Sequence, residues 1–285
     1  MLKFNFLFLL SFSLLLCSDD EGYVFELNFD NDFYMDMESV VEFSQGGYDY
    51  YMLMSARMLH EFENTNPLTG ETIMVASFEN VISSSRRNDE MKPDHEAQKL
   101  SGTSYTHTID SLGYIISLVG NSDLAEEVME ESDEVNWLFG ANTDRQNIKY
   151  LMGGDSLRRV GDVWTITDTT YNVDGTYGLD KFEGSTITKT VYTFKKIKKK
   201  GGDIIAVVKN KVFFETTGIG TTWDKTVEVT QAGEFKCKLE FNITKGYLVK
   251  NQMDGALIIK GKDLGDDTTW NAAIGVALRQ KGKLK

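Results

Sequence analysis

Alternating hydrophobicity, glycine-bearing turns and one short stretch of helical period predict an α+β, mainly β fold. The expected architecture is one or more long curved antiparallel sheets from two strand-rich halves, with a short central helical segment as cover. The clearest alternation is residues 234–244, where Phe235, Cys237, Leu239, Phe241 and Ile243 share one face and Glu234, Lys236, Lys238, Glu240 and Asn242 the other. Period two over such a length is the mark of a strand with one dry and one wet face, the antiparallel pattern. Gly46-Gly47 and Gly201-Gly202 each sit between two such stretches, and glycine supplies the positive φ that two-residue hairpin loops need. Helical spacing is concentrated at residues 122–139, through Leu124, Val128, Val135 and Leu138.

Taken in order, the chain opens with Lys3, an apolar run over residues 4–16, then Cys17 and the acidic switch Ser18-Asp19-Asp20-Glu21. Such a run is shorter than the roughly 20 residues that span a bilayer, and a basic start with a short apolar core is the pattern of a secretory signal. Residues 40–43 and 48–58 form the first predicted hairpin. Residues 83–103, rich in Ser, Arg, Asp and Lys without periodicity, read as a mobile surface loop. Residues 105–109 and 114–119 form a second hairpin over Asp110-Ser111-Leu112-Gly113. Ser122 caps the helix over 122–139, with Asp123, Glu126 and Glu127 in its first turn where the helix dipole favours acids. A second helix is predicted over 144–152, with Thr143 and Gln146 as capping box and Gly153-Gly154 as its end. Strands 191–197 and 204–214 follow, then 234–244. Residues 248–253 and 256–259 read as a hairpin over Asp254-Gly255, and 270–278 as a closing strand before a basic tail, 279–285. The organisation expected is a signal over 1–17, a strand-rich half over 18–120, a helical segment over 121–155 and a second strand-rich half over 156–285, folding as one cooperative domain.

The net charge of −13 is unevenly spread. Residues 18–150 carry 27 acids against 7 bases, whereas 151–285 carry 16 acids against 22 bases. Two halves whose fields attract, or a molecule with an acidic outer face, would explain this. Nucleic-acid binding is excluded as an expectation, because most of the chain would repel phosphate. Of two cysteines, Cys237 lies on an inward strand face as a small core residue, which leaves Cys17 without a disulfide partner.

Leu14-Leu15-Leu16-Cys17 resembles the lipobox of bacterial lipoproteins, and the Ser-Asp-Asp-Glu that follows resembles the signal sending some Gram-negative lipoproteins to the cell surface. The resemblance implies lipidation at Cys17 and an outer-membrane anchor, with the body periplasmic or surface-exposed. The alternative from the residues is an ordinary signal cut near Cys17. Gly113 to Gly120, the helical middle and Val160-Gly161-Asp162-Val163-Trp164 together resemble a family of uncharacterised bacterial lipoproteins in which a V-G-D-x-W motif opens the second sheet. The architecture of that family is similar to periplasmic lipid-carrier folds, in which a curved sheet cups a helical cover around an apolar cavity.

No catalytic constellation stands out, and a non-enzyme without a cofactor is expected. His60, His95 and His107 are not at ligand spacing, so no metal site is predicted. A calcium loop set at Thr170 would place Lys181 where a bidentate acid belongs, so 172–178 reads as a turn. Asp30, Asp32 and Asp36 read as a solvated acidic sheet edge, the alternative being a weak cation site. Ser83-Ser84-Ser85 lacks any nucleophile motif. Apolar surface is what remains. Met35, Met37, Met52 and Met54 project at period two and read first as ordinary core residues; if the sheet holds a ligand cavity, they and Phe235, Leu239 and Phe241 are the candidates for its lining, with Val128 and Leu138 as its cover. The partners expected are a membrane, through the N-terminal lipid, and a hydrophobic small molecule or lipid. The alternative is a surface module that recognises a protein or polysaccharide and has no cavity.

Overall fold

The structure, a computed structural model, describes residues 22–25, 32–87, 90–109, 115–131, 157–172, 181–222 and 225–285. Its strands are β1 (Phe33–Gln45), β2 (Tyr48–Thr65), β3 (Thr72–Arg87), β4 (Glu90–Pro93), β5 (Ser104–Ile109), β6 (Ile115–Gly120), β7 (Val163–Asn172), β8 (Lys181–Lys200), β9 (Asp203–Thr222), β10 (Lys225–Asn242), β11 (Tyr247–Asp263) and β12 (Thr269–Leu284). Two helical pieces accompany them, α1 (His95–Gln98) and α2 (Asp123–Glu131). All pairing is antiparallel in one sheet of order β6-β5-β3-β2-β1-β12-β11-β10-β9-β8-β7, with β4 on the end of β3. β6 and β7 do not pair with each other, so the sheet stays open.

The fold is mainly β, as expected. The helical cover is not supported: α2 spans nine residues, and the rest of the helix predicted over 122–139, like the helix predicted over 144–152, lies outside the described residues. Ser122 does cap α2, its Oγ accepting from the Ala125 amide at 3.2 Å, while Glu126 reaches back to accept from Gly120 N at 2.8 Å. Of the α2 side chains described, Ala125 is buried and Leu124 exposed.

Both Gly-Gly hairpins form where expected, with Gly46, Gly47, Gly201 and Gly202 all at positive φ. Asp254-Gly255, in contrast, is no turn. It lies inside the continuous β11, because Gly255 leaves the space that the Phe235 ring fills; a Cβ there would sit 2.5 Å from Phe235 Cδ1. The predicted loop 83–103 begins as strand: residues 83–87 pair with β2, and 84–87 pair with β4 as well. The basic tail is strand as well, with Arg279 to Leu284 paired to β1. The strand it pairs with is central, so the proposed acidic edge at Asp36 is wrong. Asp36 faces Arg57 across the β1–β2 ladder at 2.7 Å, and Asp32 lies 3.7 Å from Lys285.

Register places one row of residues from every long strand on the same face. Across Phe235 the row runs Val276, Gly255, Phe235, Val212; across Cys237 it runs Ser39, Leu278, Met253, Cys237, Asn210, Tyr192. This face is dry, and the opposite one carries the Lys, Glu and Asp side chains. The dry face packs as three clusters. The largest joins Met37, Met54, Met58, Phe78 and Tyr105 to Phe235, Cys237 and Met253. A second holds Phe194, Val208, Leu239 and Phe241 under Phe25, and a third surrounds Phe182, Val229 and Ile259. Phe25 stands 5.3 Å from the Phe194 ring, so residues 22–25 lie over one end of the sheet, tied to Arg158 by two backbone hydrogen bonds. Leu100, on the segment after α1, is fully buried in the first cluster.

Candidate ligand-binding face

On β1 and β2 the dry face is rich in methionine, and β3 adds Met74 beside Ala76, Phe78 and Val81. Met54 sits between Ser39 and Ser83 in adjacent strands, Met37 opposite Ala56, Met35 opposite Met58, and Met52 opposite Val41 and Ser85. Met37, Met52, Met54 and Met58 are buried, and Met35 is half-buried. Methionine has three free torsions and a polarisable sulfur, so a face made of it can re-form around a guest at low cost.

Polar atoms are set into this apolar field. The hydroxyls of Ser39 and Ser83 and both ring nitrogens of His60 are buried without a hydrogen-bond partner among the described residues. Each such group costs on the order of 1–3 kcal/mol unless something pairs with it. His60 stacks on Phe33 at 4.6 Å. Burial, with His107 nearby, pushes its pKa down to about 3, and burial pushes His107 down to about 4. Both imidazoles are therefore neutral at pH 7. On the same face burial pushes the Cys237 thiol up to about 12, which leaves it an inert core group.

The structure divides the predicted lining. Met37, Met54 and Phe235 share one cluster, with Met35 against it; Leu239 and Phe241 belong to the second, under Phe25; Met52 is buried outside both. Val128 lies in α2, while Leu138 and Cys17 are outside the described residues. Sequence reasoning missed Ser39, Met58, His60, Ser83 and His107. Their signal was present: Met52, Met54, Ala56, Met58 and His60 continue one period-two series.

A separate cleft of about 570 Å³ opens where the β1–β2 hairpin meets β12, lined among others by Glu42, Asp49, Tyr51, Arg86 and Gly275. None of the predicted lining residues borders it. The Arg86 guanidinium lies 5.2 Å from the Tyr51 ring centroid, a cation–π contact. No three His, Cys, Asp or Glu side chains among the described residues are placed to hold a metal ion.

No family model matches the sequence, and no curated protein matches it. Among solved structures, the chain is similar to a protein of Bacteroides fragilis described as exported, with a YmcC-like fold. Identity is 7%, coverage 89% of this chain and 97% of that one, and the TM-score 0.21. A protein of Parabacteroides distasonis described as a lipoprotein gives 9% identity, coverage of 89% and 97%, and a TM-score of 0.20. At TM-scores this low the likeness decides neither fold nor function.

Proposed function

We propose that this chain is a lipid-anchored cell-envelope protein of a Gram-negative bacterium, held in the outer membrane through Cys17, whose dry sheet face takes an apolar or lipid-like ligand without catalysing a reaction. The observation that supports it most is the methionine field of β1–β3 with buried, unpartnered Ser39, Ser83 and His60. Deformable apolar surface with a few fixed polar atoms is the composition of a site for a long apolar molecule carrying a small polar group. The open sheet supports entry, because no ladder joins its β6 and β7 edges. Native mass spectrometry of protein purified from membranes, before and after organic extraction, tests both parts. The expected result is an acyl mass at Cys17 and a second apolar mass that extraction removes. A single unmodified mass in both samples contradicts the reading.

The outer cleft favours a second reading, a surface module for a neutral saccharide. Tyr51 offers a ring face, Glu42 and Asp49 offer acceptors, and Gly275 keeps the floor flat. Saccharide-array binding abolished by Tyr51→Ala would support it; binding unchanged in that variant would refute it.

A further inference from the structure

The two ends of the sheet differ in how their cations are used. At the end where β8 turns into β9, residues 195–200 read Lys-Lys-Ile-Lys-Lys-Lys, five lysines without an acid. Two acids nearby, among the described residues, are already engaged. Glu240 accepts from Lys198 at 2.7 Å with Lys238 at 3.7 Å, and Asp203 accepts from Asn242 at 2.9 Å and pairs with Lys245 at 3.0 Å. Lys195, Lys196, Lys199 and Lys200 are exposed and have no carboxylate partner among the described residues; Lys209, one turn of pleat further up β9, is in the same condition. At the opposite end two cations are paired: Lys225 is held by Asp263 at 2.7 Å, and Lys262 by Asp267 at 2.8 Å.

The cationic end is also where the N-terminal segment arrives. A Cβ on Gly22 would sit 3.0 Å from Leu157 Cβ, Tyr23 pairs with Arg158, and Phe25 meets Phe194, the residue immediately before Lys195, edge to face. Gly161 and Asp162 exchange backbone hydrogen bonds with Phe194, so this whole corner is one connected piece. From Cys17 to Gly22 is five residues, which fully extended reach at most about 18 Å. A lipid on Cys17 would hold this corner, and no other end of the sheet, against the membrane.

We propose that the lysines at the Gly201-Gly202 end dock on the anionic headgroups of the membrane that anchors the chain, fixing the long strands upright with the Asp263–Asp267 end outward. The inference rests on lipidation of Cys17 for the reach, and on charge complementarity for the partner. A single lipid leaves a protein free to tilt and swivel. Several lysines near an anionic leaflet each strengthen the contact by about fivefold and give the body one orientation.

The test is amine-reactive labelling of the full chain as isolated from membranes, in vesicles of phosphatidylcholine alone or with phosphatidylglycerol added, read lysine by lysine by mass spectrometry. Labelling of Lys195, Lys196, Lys199 and Lys200 is expected to slow by about fivefold or more when phosphatidylglycerol is present, and to recover at high salt. Lys260 and Lys262 should label equally in both vesicles. The quadruple variant Lys195→Glu, Lys196→Glu, Lys199→Glu, Lys200→Glu should remain in the vesicle fraction through its lipid, and Lys209 should lose its protection. Equal labelling in the two vesicles overturns the proposal, as does the same protection by inorganic phosphate without vesicles. The acyl mass on the peptide containing Cys17 is read in the same experiment, so failure of the anchor and failure of the lysine surface are told apart. Headgroup-dependent protection in a chain without the acyl mass would support the surface and refute the anchor.

Discussion

The dry face has two different constructions in its two halves. In β8–β12 it is aromatic rings seated on glycines: Phe182 over Gly184 and Gly218, Phe235 over Gly255, Trp270 over Gly261. A Cβ at Gly218 would stand 2.4 Å from Phe182 Cζ, and one at Gly261 2.1 Å from Trp270 Cε2. Rings held on bare backbone have nowhere to move. In β1–β3 there is no glycine, and the same face is methionine interleaved with serine, alanine, valine and histidine, with the single buried phenyl ring of Phe78 on β3. One half is therefore fixed by shape, and the other is filled by side chains that change shape. A sheet that holds one orientation and takes a guest, as proposed here, would use both constructions.

That contrast can be broken most strongly at the rigid half. Gly218→Val should destabilise the fold by about 3 kcal/mol, since the new side chain overlaps a ring packed between two ladders; chemical denaturation measures it. A loss under about 0.5 kcal/mol would show that the aromatic half yields as well.

The second effect is pH dependence in the methionine half. His60 and His107 have folded pKa values below the ordinary 6.5. Between those values the unfolded chain binds more protons, so stability present above pH 6.5 is lost as pH falls. The slope approaches about 1.4 kcal/mol per pH unit for each imidazole, and the loss levels off near pH 3–4. His60→Gln should remove its share of the slope, in a comparison of denaturation midpoints at pH 7 and pH 5. An unchanged slope would mean that His60 is not buried as described.

A smaller effect is expected for Met54→Leu, a swap of similar volume that should cost under about 1.5 kcal/mol and weaken capture of an apolar ligand more than it weakens the fold. If unfolding and ligand capture changed in proportion, the methionines would be ordinary core. The smallest effects belong to the outer face, where the halves should be alike. Asp36–Arg57 and Asp254–Arg279 are both exposed pairs at 2.7 Å. Arg57→Ala and Arg279→Ala should each cost under about 1 kcal/mol, less at high salt. A large difference between them would place the asymmetry on the wet face too.

Period two made most of this fold legible before any coordinates. The alternation in 234–244 located β10 and its buried set, and two Gly-Gly pairs located the hairpins. The misreadings share a cause, which is that local composition does not report what lies across the ladder. Asp254-Gly255 has the composition of a turn, but its glycine answers to Phe235 on the next strand. Ser83 looks like loop material and is buried opposite Met54. Residues 279–285 look like a solvated tail until β1 supplies Asp36 opposite Lys281. The candidate face was half legible. The methionines announce themselves by spacing, whereas Ser39 and His60 gain meaning only from burial without a partner.

The most direct test of the methionine face is photo-crosslinking of the full chain, with photo-methionine in place of methionine, in the membrane from which it is purified. Lipid or other apolar adducts should map to Met37, Met52 and Met54, with few at the exposed Met91. Adducts at Met91 alone, or none on β1 and β2, would contradict the account.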